Sequence, residues 1–370
     1  MKILITGAAG FIGKNLSIRL RELAEFEIIA LVRASGAAEF AVAAASADAV
    51  VHLAGVNRPL SEDEFAKGNV VLTETLCQAL SHAGRRPPVI FSSSLQAAFD
   101  NPYGRSKCEA EQALRRYAAE TGAPVYIYRL PNVFGKWCRP AYNSVVATFC
   151  HNIARGLPIK MNDADAALTL VYVDDVVDEF IHVLKERPPV AAEELRGVPT
   201  EYRTTVGELA RQIEAFKASR ESLITERVGA GLTRALYATY VSYLPPDRFS
   251  YPIPQYPDPR GVFIEVMKTK DSGQFAAFTV RPGVTRGSHY HHSKTEKFLV
   301  VKGKARFGFR NLLTNETHTL FTSGERPEIV ETIPGWVHDI TNIGEDEMVV
   351  MIWANENFDR ARPDTIRASV

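Results

Sequence analysis

In "FSSSLQAAFDNPYGRSK", Tyr103 and Lys107 stand four residues apart, so a helix places both on one side. An ammonium beside a phenol favours the phenolate and is expected to lower the phenol's pKa. Near neutral pH such a tyrosine can trade a proton with a carbonyl or alcohol oxygen. A hydroxyl from the serine run, Ser94, could hold the same oxygen. A second group lies far along the chain, in "GSHYHHSKTEKF". His289 and His291 are two apart, which on a strand puts both imidazoles on one face. Glu296 follows, and His338 sits in the strand-like "PGWVHDITN". Three neutral imidazoles and a carboxylate suit a divalent transition metal, zinc among them. Five of the nine histidines fall in the final 82 residues, which supports a shared role. His292 could replace a ligand or serve as a base, and Tyr290 is a second candidate base.

The tyrosine–lysine pair needs a scaffold, and the first part of the chain supplies its pattern. Short apolar runs ("KILIT", "EIIALV", "AVVHLAG", "PVIFSS", "PVYIYRL") alternate with helical stretches, the mark of a parallel sheet with crossovers. "TGAAGFIG" sets Gly7, Gly10 and Gly13 after the first strand, with Phe11 and Ile12 opening the helix. Such a turn lets the backbone approach a pyrophosphate at a helix N-terminus. The second strand ends in "LVRAS", with Arg33 and no acid before Glu39. A cation there suits a 2′-phosphate, which selects NADP(H) over NAD. The stretch before "AVVHLAG" is short, so one βαβ unit is expected to be trimmed.

The histidines need a different scaffold. After about Arg260 the runs become short and β-rich ("GVFIEVMK", "QFAAFTV", "KFLVVKGKARFGF", "MVVMIWA"), as in a small all-β barrel or sandwich. Six prolines between Pro245 and Pro259 exclude a helix or central strand there. The expected division is 1–244, a linker at 245–260, and 261–370. At 370 residues and 46% apolar, the chain can bury two cores. Its 43 basic and 43 acidic residues balance, so no bulk charge draws it to nucleic acid or acidic lipid. Cys77, Cys108, Cys138 and Cys150 form no CxxC pair, which reads as ordinary thiols of a reducing, cytoplasmic compartment. No apolar run approaches membrane-spanning length.

TGxxGxxG, a serine and YxxxK in that order resemble the extended short-chain dehydrogenase/reductase family, over roughly residues 1–240. The resemblance implies a Rossmann-like doubly wound sheet with Ser94, Tyr103 and Lys107 as the catalytic set. It also implies that Asn69, at a helix start, supports the lysine through water. "HLAG" (His52, Leu53, Ala54) would line the cofactor, and Asn132 in "RLPNVFG" would meet substrate or nicotinamide. Arg139 and Asn143 fall in the corresponding sugar-nucleotide region and could reach a diphosphate.

"GVTRGSHYHHSKTEKFLVVKG" resembles the first motif of the cupin family, from Gly283 through HxH and Glu296 to Gly303. The second motif is looser: Pro334 directly precedes Gly335, while His338 and Asn342 keep their separation. This implies an all-β cupin barrel with a metal on His289, His291, Glu296 and His338, and a homodimer paired through its sheets.

The two halves together resemble a family of bifunctional enzymes of capsule and O-antigen synthesis, carried by "HLAGVNRP", "DNPYGRSK" and "HYHHSKTEKFLVVKGKARF". That family implies a substrate, UDP-2-acetamido-2,6-dideoxy-L-arabino-4-hexulose. The C-terminal part would epimerise C3, and the first part would reduce the C4 ketone with NADPH. The product would be UDP-N-acetyl-6-deoxy-L-talosamine, on the route to UDP-N-acetyl-L-fucosamine. The chemistry is coherent, because a C–H next to a ketone is acidic and hydride delivery to that ketone traps the epimer. The rival readings are an NAD-dependent nucleotide-sugar 4-epimerase or dehydratase with an oligomerisation module, and an NADP- and metal-binding sensor.

Overall fold

The computed structural model describes residues 1–370 apart from Arg33, Leu60 and Ala192, and Ala37 without its side chain. Arg33, on which the choice of NADP(H) leans, therefore lies outside the described residues. Two compact units form: Met1–Ile213 with Arg234–Leu244, and Glu214–Thr233 with Pro245–Val370. No helix among the described residues is long and apolar enough to cross a membrane.

The strands of the first unit are β1 (Lys2–Thr6), β2 (Glu27–Leu31), β3 (Ala49–His52), β4 (Val89–Ser94), β5 (Val125–Leu130), β6 (Asn132–Phe134), β7 (Ala167–Tyr172), β8 (Leu195–Arg196) and β9 (Tyr202–Thr205). Six of them form a parallel sheet in the order β2-β1-β3-β4-β5-β8, while β6, β7 and β9 form a small mixed sheet. Successive β1 residues point to opposite faces, so each face builds its own core. Ile3 and Ile5 pack with Leu16 and Leu20 of the helix Phe11–Arg21 and with Phe180 of the helix Val173–Glu186. Leu4 packs on the other side with Leu76 and Leu80 of the helix Leu72–His82 and Leu114 of the helix Pro102–Thr121. The result is a doubly wound sheet. Only β2 lies beyond β1, so the sheet is short by a strand on that side, and the crossover to β3 is the ten-residue helix Ala37–Ser46. Strand order reverses at β1, whose carboxyl end is where such sheets bind ligands.

Two local features set up the site. The helix Pro102–Thr121 begins with Pro102 at its first position, and the Asn101 side chain accepts from Gly104 N at 2.8 Å. The helical run holding Asn69 starts at Asp63 and is π-wound over Ala66–Val71. Asn69 is thus inside the run, not at its start as expected, because the helix extends upstream through Asp63–Phe65.

The second unit comprises β10 (Ile224–Thr225), β11 (Gln255–Asp258), β12 (Gly261–Thr269), β13 (Gln274–Val280), β14 (Thr285–Tyr290), β15 (Glu296–Lys302), β16 (Lys304–Asn311), β17 (Thr317–Ser323), β18 (Ile329–Glu331), β19 (Trp336–Asn342), β20 (Met348–Ala354) and β21 (Ile366–Arg367). One sheet runs β10-β12-β13-β20-β15-β18 with β11 on β12, and the other runs β17-β16-β19-β14-β21. Phe278, Phe298 and Val350 of the first share a core with Phe307, Phe309 and Ile340 of the second. Among the described residues no strand pairing joins the two sheets, so the arrangement is two facing sheets and not the closed barrel expected. The expected boundaries shift as well. Ile224 and Thr225 pair with Lys268 and Thr269, which draws a segment before residue 244 into this unit. The expected linker contains β11, an edge strand, the position that tolerates Pro257.

Candidate functional site

Sterics at the glycine turn are absolute. Gly7 has φ of 70°, and a Cβ there would lie 2.7 Å from Ala54 N; a Cβ on Gly13 would lie 2.3 Å from Gly7 O. Gly10 precedes the helix Phe11–Arg21 without a side-chain cap, so the amides of the first turn face outward unclaimed by any cap side chain. Such an end attracts a phosphate. Phe11 and Ile12 are half-buried in that first turn.

His52, expected against the cofactor, is 0% exposed and stacks on Phe91. Burial lowers its pKa to about 3, so the ring is neutral. Its partners define the tautomer. Thr6 Oγ1 accepts from the amides of Leu53 and Ala54, both at 3.2 Å, and donates to His52 Nδ1 at 2.6 Å. His52 Nε2 then donates to Thr73 Oγ1 at 2.9 Å, and Thr73 donates to Asn69 O at 2.6 Å. His52 is a positioning residue: it ties the loop at Leu53–Ala54 to the π-wound turn. Neither threonine carried a sequence signal, since both partners are set by tertiary packing.

Asn69 is buried and fully engaged. Its Oδ1 accepts from Val56 N at 2.8 Å, and its Nδ2 donates to Val56 O at 3.0 Å and Ser106 Oγ at 2.8 Å. Next to Ser106, Lys107 is buried, donates to Ser92 O at 2.9 Å and lies 4.8 Å from the Phe91 ring centre. Burial lowers its pKa to about 8, partly opposed by Glu111 one turn on. Glu111 is itself buried between Ser93 and a two-pronged contact from Arg129 at 2.9 and 2.7 Å. Tyr103 stands near the Ser94 hydroxyl and packs on Phe65. Its pKa is raised, not lowered as expected: burial is the largest cause, and the neighbouring Ser94 hydroxyl opposes it. Serine, tyrosine and lysine thus share one end of β4 and the start of the helix Pro102–Thr121.

Asn132, Arg139 and Asn143 are exposed. The guanidinium of Arg139 lies 5.2 Å from the Tyr142 ring centre, and Arg58 lies 5.9 Å from the same ring. Two cations thus flank the Tyr142 ring. Arg58 and Tyr142 escaped sequence reading, as isolated residues without a spacing rule.

In the second unit His289, His291, Glu296 and His338 do converge, with one ligand atom from each lying within 4.8 Å of the others. The geometry differs from two histidines on one strand face. A bulge between Gly287 and His289, with Ser288 at φ of 58°, re-aims the end of β14, and His291 lies just past it. His289 and His338 are cross-strand partners with ring centres 4.5 Å apart. Glu296 Oε2 sits 3.3 Å from His291 Nε2 and 3.5 Å from His338 Nε2. Ligands about 2.0–2.1 Å from a tetrahedral zinc are about 3.3–3.4 Å apart, so these separations fit such an ion. His291 Nδ1 donates to the backbone carbonyl of Asp364, which leaves Nε2 of the neutral ring as a lone pair facing a carboxylate. His291 Nε2 and both ring nitrogens of His338 are buried without hydrogen-bond partners. A cation here would take His291 Nε2 and one nitrogen of His338 together. Burial lowers His289 to about 4, keeping it neutral as a ligand must be. Burial alone would raise Glu296, yet it is held well below the usual carboxylate range, with the Lys294 ammonium at 2.8 Å among the causes. His292 is exposed against Tyr290 and stands outside the ligand group.

His289 and Glu296 also line a cavity of about 430 Å³ with Lys294, Arg286, Arg260 and Phe358. Lys294 is buried and donates to Glu296 Oε1 at 2.8 Å. Arg286 shares the Asp258 carboxylate with Arg260. The cavity can take a polar, partly anionic molecule against the ligand group.

Comparisons with known proteins follow the same division. The NAD dependent epimerase/dehydratase family matches residues 3–193, and the polysaccharide biosynthesis C-terminal domain matches residues 256–366. The UDP-2-acetamido-2,6-beta-L-arabino-hexul-4-ose reductase of Pseudomonas aeruginosa is 55% identical over 100% of this chain and 99% of its own. The crystal structure of the capsular polysaccharide assembling protein CapF from Staphylococcus aureus is similar over 100% of both chains, at 44% identity and a TM-score of 0.94. UDP-glucuronic acid 4-epimerase from Bacillus cereus, in complex with NAD, shares only the fold: 18% identity and a TM-score of 0.57 over 66% of this chain and 96% of that one.

Proposed function

The chain belongs to the NAD dependent epimerase/dehydratase family, and on that footing we propose that it is an NADPH-dependent reductase of a UDP-linked 2-acetamido-2,6-dideoxy-L-arabino-4-hexulose whose second unit epimerises C3 of the same sugar. The product is UDP-N-acetyl-6-deoxy-L-talosamine, a step toward UDP-N-acetyl-L-fucosamine for capsule or O-antigen. One observation carries the reading: Ser94, Tyr103 and Lys107 gather beside a glycine turn that admits no side chain, in a chain 55% identical throughout to a reductase of that sugar.

When bound, NADPH supplies the hydride for C4. Tyr103 donates its proton to the C4 oxygen, and Ser94 donates a hydrogen bond to the same oxygen. Burial keeps Tyr103 protonated and ready as an acid. The Lys107 ammonium, fixed at Ser92 O, holds the nicotinamide ribose. Asn69 steadies the neighbouring turn, Asn132 and Asn143 face the sugar, and Arg58 and Arg139 hold the diphosphate. The preference for NADPH rests on the residue type at Arg33 and on Glu39, whose carboxylate is already taken by Gly36 N at 3.1 Å.

In the second unit His289, His291, Glu296 and His338 hold a divalent metal, zinc by ligand type. A metal so held supplies Lewis acidity to an enolate oxygen, which is what removal of the C3 proton requires. The facing sheets are read as a cupin domain. Exposed Phe321 on edge strand β17 and Ile329 on edge strand β18 support pairing of two copies, which light scattering would show as a homodimer.

The test is loss of absorbance at 340 nm when purified protein meets NADPH and the L-arabino 4-keto sugar, with deuterium uptake at C3 followed by NMR. No turnover with this substrate ends the proposal. Protein that carries tightly held NAD+ and interconverts C4 epimers would establish the 4-epimerase reading instead.

A further inference from the structure

The last strand brings the chain back to the ligand group. Ile366 and Arg367 of β21 pair with Tyr290 and His289, and Ala368 N donates to Ser288 O at 3.1 Å. Arg310 clasps the Ser369 carbonyl through Nε at 2.9 Å and Nη2 at 2.6 Å. Just ahead of β21, Asp364 faces the turn between His291 and Glu296. Its Oδ2 accepts from Ser293 N at 2.7 Å, Lys294 N at 2.8 Å, His292 N at 3.1 Å and Ser293 Oγ at 3.2 Å. Its Oδ1 accepts from His292 N at 2.9 Å. Three successive amides thus close on one carboxylate, an anion nest built from within the chain.

We propose that Asp364 is a positioning residue of the metal centre: its carboxylate fixes the turn joining His291 to Glu296, and its carbonyl orients the His291 ring. The proposal rests on reading His289, His291, Glu296 and His338 as metal ligands. A backbone carbonyl can only accept, so the bond from His291 assigns the proton to Nδ1 and leaves Nε2 for the ion. The same turn carries Lys294, whose ammonium holds the second oxygen of Glu296. Asp364 therefore governs two ligands at once, through a ring orientation and through the placement of Lys294. An anchor for the tail alone would need neither contact, because β21 is already paired along β14. Lost partners of this kind weaken metal binding by about 10- to 100-fold in other centres.

The test uses the full chain loaded with zinc and competed against a chromophoric chelator. D364A is expected to lose about 10- to 100-fold in zinc affinity, with D364N, which keeps one acceptor oxygen, falling between it and the parent. NADPH binding should be equal in all three. A second measurement, the nitrogen NMR shifts of His291, is expected to show Nδ1 protonated in the parent protein. Parent-like zinc affinity in D364A, or a His291 proton on Nε2, overturns the assignment. Should D364A fail to fold its second unit, D364N and the His291 shifts decide between the outcomes. A parent protein that takes up no zinc removes the metal reading itself, and this proposal with it.

Discussion

The two candidate sites bury polar groups in opposite ways. In the cleft of the first unit four buried groups are matched from within: His52 between two threonines, Asn69 across Val56 and Ser106, Lys107 on Ser92 O, Glu111 between Ser93 and Arg129. In the histidine group three imidazoles and a carboxylate crowd together, and His291 Nε2 and both ring nitrogens of His338 have no hydrogen-bond partner. A buried polar atom without a partner costs about 1–3 kcal/mol. The first site is therefore complete as folded, whereas the second is stable in proportion to what fills it.

That contrast is open to experiment, beginning with the largest effect. Y103F should slow NADPH oxidation by about a thousandfold, within the range of a lost general acid, while deuterium exchange at C3 continues. Loss of both activities together would show that the sites are one. Removing metal with a chelator, or making E296Q, should abolish C3 exchange and lower the melting point of the second unit only. A pre-epimerised 4-keto substrate should still be reduced at the parent rate.

Lys107 gives a smaller, two-sided effect. Its folded pKa of about 8 lies below the ordinary lysine value of 10.5. The unfolded chain then binds the proton more tightly than the folded one. The cost of burying the ammonium is present in full below pH about 8, and it fades as pH rises to about 10.5. K107M should remove up to about 3 kcal/mol of that cost at neutral pH, raising the melting point of the first unit while activity collapses. In the parent enzyme NADPH oxidation should fall above pH about 8, as the ammonium is lost. The smallest change is T73V, which strands the His52 Nε2 proton. It should cost about 1 kcal/mol and raise the KM for NADPH a few-fold with little change in kcat. An unchanged KM would show that the His52 chain does not position the cofactor loop.

Much of this was legible from the residues alone. Alternating β and α patterns and three glycines placed the cleft, because local spacing maps directly onto a strand–turn–helix. The convergence of His289, His291, Glu296 and His338 was legible too, since three of them lie within eight positions of one another in the sequence. What spacing could not reveal was burial. It placed His52 on the cofactor and made Lys107 lower the Tyr103 pKa, whereas packing seals His52 and burial raises the Tyr103 pKa. The closed barrel and the helix start at Asn69 failed for a related reason: sheet closure and helix onset depend on neighbours distant in sequence. Asp364 is separated by 70 positions from Lys294, whose amide it accepts, and no local pattern points to it.

Glu296 opens β15, where side chains alternate: Glu296, Phe298 and Val300 face inward, while Lys297 is exposed. One residue inserted between His291 and Glu296 could be absorbed only by bulging the turn or by sliding the strand one step against β20. The slide would put Thr295 in the place of Glu296 and push two core side chains into water. The gathering of Glu296 with the three histidines and the hydrophobic packing are thereby tied to a single alignment, so drift in that turn's length is penalised twice.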